Sequence, residues 1–137
     1  MSDVGVLSAH LLSVFQKELF TRLAAAGHEQ LRPRHGAVLA HLGPDGSRAS
    51  ELSERSGQHK QVIGTLIDEL EHLGYVTRQP DPADRRAKLV VPTAAGRDQM
   101  VQARRIVADI EDGFARRVGP ERFAEFKAVF AEITRRS

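Results

Sequence analysis

Residues 47–92 read SRASELSERSGQHKQVIGTLIDELEHLGYVTRQPDPADRRAKLVVP. Apolar residues first recur there at helical spacing on both sides of Gly57. They then alternate in two short segments that flank a charged loop. The order is helix, turn, helix, strand, loop, strand, which is a winged helix-turn-helix. Long helical patterns lie on either side. The fold class is therefore mainly α with a small β-hairpin wing (α+β), in a single domain of 137 residues. We expect a winged-helix lobe over 30–92 and a helical region from 1–29 and 93–137.

Inside the lobe, Val62, Ile63, Leu66, Ile67, Leu70 and Leu73 form the apolar face of the second helix, about His59 to Leu73. Gln61, Gly64, Thr65, Asp68 and His72 lie opposite. Its start is polar or basic (Gln58, His59, Lys60, Gln61), and its end is acidic (Asp68, Glu69, Glu71). A recognition helix enters the major groove with its N-terminal residues toward the bases. The positive end of the helix dipole and Lys60 favour phosphates there. Thr65 lies one turn further on. Gly64 permits close approach to the groove, at a helix-interior cost of about 1 kcal/mol.

Gly74 ends this helix. Tyr75–Gln79 alternates as a strand, Pro80 and Pro82 break it, and Leu89–Val91 returns. Arg85, Arg86 and Lys88 then sit at or near the hairpin tip, with Asp84 close enough to hold one arginine in place. An arginine so presented suits a narrow minor groove, where the negative potential is greatest.

The flanks read as helices. Leu7, Leu11, Phe15, Leu19 and Leu23 make a stripe over Val4–Ala26, ended by Gly27; it serves a core or a subunit interface. Pro33 opens a second helix, with Val38, Leu39 and Leu42 buried. Gly43–Gly46 is a turn, a serine between Ser47 and Ser50 caps the next helix, and Ala49 and Leu52 point inward. Thr93 caps a long helix on which Met100, Ala103, Val107, Ile110 and Phe114 alternate 3- and 4-residue steps. Gly119-Pro120 separates it from a last helix carrying Phe123, Phe126, Phe130 and Ile133.

The segment from Leu66 to Arg78 (LIDELEHLGYVTR), then DPADRRA at 81–87 and PTAAG at 92–96, closely resembles the MarR family of bacterial transcriptional regulators, whose pattern is roughly LVDRLExKGLVxR, DPxDRRA and LTxxG. The resemblance runs through the whole chain in helix order and is most specific over 50–96. It implies a homodimer joined by the first and last two helices and a recognition helix in the major groove of an inverted repeat in double-stranded DNA. It also implies a wing arginine in the flanking minor groove, Arg86 before Arg85, with Lys88 on phosphate. The exposed reader positions correspond to Gln58, Lys60, Gln61 and Thr65. A ligand-responsive repressor is implied, released by a small aromatic or phenolic effector near His10, Arg34 and His35. Four positions depart from the pattern: Thr65 replaces an arginine, Ile63 or Gly64 a Thr or Ser, Arg32 the Thr before the second helix, and Pro92 a leucine.

Other classes are disfavoured. The net charge of +2, from 20 basic and 18 acidic residues, is no nucleic-acid signature by itself. With the missing arginine at 65, it favours the alternative of a winged-helix protein-interaction module without specific DNA readout. No nucleophile elbow, phosphate loop or HExxH motif points to an enzyme. Without cysteine there is no disulfide or thiolate site, and the six histidines form no ligand pair, so neither cofactor nor metal is expected. No apolar run suggests a membrane span and no leader is evident. The expected location is the bacterial cytoplasm, with the nucleoid.

Overall fold

The computed structural model describes residues 2–135. Helix α1, Val4–Ala25, begins where Asp3 accepts the Val6 N–H and ends before Gly27, whose φ of +102° suits a residue without Cβ. A 3-10 turn, Pro33–His35, runs into the short α2, Gly36–Leu39. The helix-turn-helix pair is α3, Ala49–Ser56, and α4, Lys60–His72. The wing is β1, Val76–Asp81, and β2, Asp84–Pro92. Helices α5, Ala94–Val118, and α6, Pro120–Thr134, complete the order.

The lobe has its own core. Leu31, Val38, Leu52, Ile63, Ile67 and Leu70 pack with Tyr75, Val76 and Val90. A smaller cluster joins Leu23 of α1 to Ile106 and Ile110 of α5. Phe20 packs against both. The stripe on α1 therefore divides. Phe15, Leu19 and Leu23 belong to this core, whereas Leu7 is 55% exposed and, with Leu11, lines an apolar groove against Phe126, Phe130 and Ile133 of α6. No residue of α6 is buried. Among the described residues no helix is long and apolar enough to cross a membrane.

Several local expectations are corrected. No serine caps α3. Arg48 is the N-cap residue, and its N–H is received by Glu51 at 2.9 Å. Ser47 is instead buried; its backbone exchanges two hydrogen bonds with Val90, adding a bridge beside the wing. Ala49 is exposed; only Leu52 of that pair points inward. Pro80 does not end β1 but pairs with Lys88 inside the antiparallel ladder, where a strand on the edge tolerates a missing N–H. On α5 the buried residues include Ile106, one step from the 3-4 seam, while Val107 is half-buried.

Candidate nucleic-acid interface

The turn before α4 is tied down locally. Gly57 adopts φ +74°, Ser53 donates its hydroxyl hydrogen to the Gln58 carbonyl at 2.6 Å, and the Gln58 N–H reaches Ser56 Oγ at 3.1 Å. His59 is the N-cap, its Nδ1 accepting the Gln61 N–H at 3.2 Å. That bond places the remaining ring proton on Nε2, as a donor. Gln58, His59, Lys60, Gln61 and Thr65 are all exposed, and the Thr65 hydroxyl donates to the Gln61 carbonyl.

The acidic half of α4 is occupied by the protein itself. Arg78 of β1 bridges Asp68 at 2.8 Å and Glu71 at 2.9 Å. Glu69 accepts from Arg34 at 3.0 Å and His35 at 2.9 Å. Hydrogen bonding to His35, then to Arg34, holds the Glu69 carboxyl below its ordinary pKa. By contrast, no ion pair holds Lys60, Arg85 or Lys88 among the described residues.

The wing turns at Pro82-Ala83, so Arg85, Arg86 and Lys88 all lie on β2 and are exposed. Asp84 accepts the Arg86 backbone N–H at 3.1 Å and stands 3.8 Å from its guanidinium. It therefore fixes the arginine's backbone and leaves the side chain 97% exposed. The first aspartate of the loop escaped the sequence reading. Asp81 is buried, accepts the Ala83 N–H at 2.9 Å and pairs with Arg48 at 2.7 Å. Those partners, the Ala83 N–H first and Arg48 second, hold its carboxyl below the ordinary range. The wing turn is thus fastened to the start of α3. Sequence separation hid this pair, since residues 48 and 81 lie on different elements.

The three residues expected near an effector do not gather at one place. His10 is exposed on α1, where the grooves against α6 are lined by neighbours such as Leu7 and Leu11. His35 is buried, with Nδ1 accepting the Arg32 N–H and Nε2 donating to Glu69. Burial lowers its pKa, against the opposing pull of Glu69. It replaces from inside the cap that Arg32 does not supply. Arg34 lies beside α4, in a groove shared with His59, Gln61 and Thr65. A different cavity, of about 360 Å³, opens between α1, α2 and α5; Phe15, Leu19, Leu39 and Met100 line it, and Gln99 and Arg104 are its polar members. Among the described residues no group of His, Asp or Glu is arranged to hold a metal ion.

The family model described as the MarR family matches residues 29–87, the stretch holding α2, α3, α4 and the wing arginines. Over that stretch the chain is similar to the MarR family. A transcriptional regulator of Bacillus subtilis (strain 168), YcgE, is 38% identical over 60 residues, which are 44% of this chain and 38% of that protein. The matched part thus spans well under half of that relative's length. Among solved structures, CouR from Rhodococcus jostii RHA1 bound to p-coumaroyl-CoA is 25% identical, with a TM-score of 0.77 over 96% of this chain and 92% of that one. The repressor CouR bound to a 23-mer DNA duplex is 24% identical, with a TM-score of 0.78 over 97% and 93% of the two chains. That second likeness is one of fold.

Proposed function

We propose that this protein is a homodimeric, ligand-responsive transcriptional repressor that binds a palindromic operator. The observation that carries the reading is the division of charge on α4. Its acidic half is neutralised from within by Arg78, Arg34 and His35, while Gln58, His59, Lys60, Gln61 and Thr65 are left to solvent. A phosphate-lined groove is repelled by free carboxylates and attracted by uncompensated donors. Arg86, with Arg85 beside it and Lys88 two residues on, supplies the cationic wing, and Asp84 and Asp81 act as its supports.

The apolar groove between α1 and α6 is suited to a second copy of the chain. Val4, Leu7, Phe126 and Ile133 would be covered there, and such a patch is unusual on a monomer. A two-fold dimer sets two recognition helices about 34–36 Å apart, over an inverted repeat. The effector reading moves from His10, Arg34 and His35 to the cavity between α1, α2 and α5. A planar aromatic group fits its apolar walls, and an anionic end would meet Arg104. CouR, solved bound to p-coumaroyl-CoA, supports an aromatic effector as the chemical class. Because Phe20 packs against both cores and also lines the cavity, an occupant there would shift the lobe relative to the long helices.

Selection of random duplexes against the purified protein, with affinity followed against salt, tests the reading. An inverted repeat with half-sites one turn apart is expected. Each phosphate contact should add about −0.9 to the log–log salt slope. Arg86→Ala should weaken operator binding by about 1–3 kcal/mol and leave the melting temperature unchanged, because the side chain is 97% exposed. Only weak, sequence-blind binding, unaffected by Arg86→Ala, would overturn the specific readout and favour the protein-interaction module instead.

A further inference from the structure

On α4 the sequence pattern assigns Val62 to the buried face, yet its side chain is 44% exposed. It follows Gln61, precedes Thr65 by one turn, and lines a surface groove with Arg34, His59 and Glu69. Its neighbours on the apolar stripe, Ile63 and Leu66, are buried. A branched side chain has little χ1 freedom in a helix, so its two methyl groups are held in a fixed direction. Leu66 also lines that groove, and its other members, Arg34, His59, Gln61, Thr65 and Glu69, are polar or charged.

We propose that Val62 is a base-reading residue that contacts the 5-methyl group of a thymine in each half-site. The inference rests on the DNA-binding reading given above. The major groove offers a protein one apolar group, the thymine methyl; every other edge is a donor or an acceptor. An apolar side chain on the groove-facing half of a recognition helix therefore finds a complementary surface only there. Gln61, adjacent in sequence, has the amide that pairs with the N6 and N7 edge of adenine. Lys60 is the one cation on the first half of α4, and no arginine stands on that helix to take guanine in the bidentate manner. Arg34, 58% exposed and paired with Glu69, rims the same groove and compensates the carboxylate there. The compensated charge around Val62 thus suits a duplex, and Val62 with Gln61 is directed at A·T pairs, Lys60 being left for phosphate or guanine.

The selected operator provides the test. Each thymine is replaced in turn by deoxyuridine, which removes the 5-methyl group and leaves every hydrogen-bonding edge intact. One position per half-site should weaken wild-type binding about fourfold, the factor for losing one methyl contact, and about fifteenfold when both half-sites are changed. Val62→Ala should bind the thymine and deoxyuridine operators equally, with an unaltered salt slope, because phosphate contacts are untouched. Val62→Thr, which keeps one methyl, should retain part of the discrimination and guards against loss of fold. Uniform tolerance of deoxyuridine by the wild type overturns the proposal while the operator itself upholds the repressor reading. A deoxyuridine penalty that persists in Val62→Ala assigns the methyl to another residue and also overturns it. Failure to select any operator removes both.

Discussion

The same substitution, glycine to alanine, should have opposite effects at two places in the DNA-binding lobe and its junction. Gly96, in the first turn of α5, lies against the chain where α4 gives way to β1. A Cβ there would stand 2.2 Å from the Tyr75 carbonyl oxygen and 3.1 Å from Pro92 Cβ. Carbon and a carbonyl oxygen meet at about 3.3 Å, so roughly 1 Å of backbone displacement is needed. The displaced group is not free. The Tyr75 carbonyl accepts the Thr93 N–H, its own N–H reaches the Leu70 carbonyl, and its hydroxyl bonds His28, which in turn reaches Asp98. Overpacking against so constrained a backbone costs about 3 kcal/mol, the upper end of the usual range. Helix propensity returns about 1 kcal/mol, leaving about 2 kcal/mol of net destabilisation. At Gly64, in the middle of α4, an added Cβ meets nothing within 4 Å, so alanine should stabilise by about 0.5–1 kcal/mol. Urea denaturation at one fixed protomer concentration reads both, as shifts of midpoint at constant m. Melting temperatures should fall by about 7 °C and rise by about 3 °C respectively. A Gly96→Ala protein as stable as the wild type would refute the close-approach argument. If Gly64 also serves close approach to DNA, its alanine variant should bind the operator more weakly despite the stabler fold.

Other outcomes follow from single contacts. Asp81→Ala removes the acceptor for Ala83 and the partner of Arg48, and should cost about 2 kcal/mol together with operator affinity; Asp81→Asn, which can still accept the Ala83 N–H, should cost less, as urea midpoints and duplex binding would record. Thr93→Ala loses the cap of the Gly96 N–H and the bond to the Gly74 carbonyl, for about 1–2 kcal/mol in the same denaturation assay. Acid should destabilise the fold in two stages. His35 titrates below its ordinary 6.5 in the folded chain, so the unfolded chain binds the proton first, and stability is lost as pH falls from about 6.5 toward the lowered value. Glu69, Asp81 and Asp98 are also lowered, so their contribution disappears only below the ordinary carboxylate values of 4.5 and 3.8, as pH falls through the folded ones. His35→Gln should remove the upper stage from a plot of urea midpoint against pH.

How far the site could be read in advance depended on the range of the interactions. Gln58, His59, Lys60, Gln61 and Thr65 are exposed on one helix half, as a 3.6-residue period places them, and Asp84, Arg85, Arg86 and Lys88 are exposed on β2. Val62 was misplaced because a period assigns a face but not the width of the neighbouring element that covers it. Asp81 was missed because its carboxylate answers to Arg48 across 33 residues. Arg34 and His35 meet at Glu69, 35 and 34 residues away, a contact that spacing does not reveal, while His10 stands apart on α1.

Sequence alone determined what local geometry controls. Gly27, Gly57 and Gly74 stop helices because φ of +74° to +102° is cheap without a Cβ, and Thr93 starts α5 because its hydroxyl reaches the third residue on. Alternation and period then separated the hairpin from the helices. Tertiary structure decided which apolar residues are covered, why Gly96 has no side chain, how Pro80 fits a ladder and which charges on α4 are already neutralised. Each of those depends on atoms brought together from distant parts of the chain, and their positions are set by packing rather than by spacing.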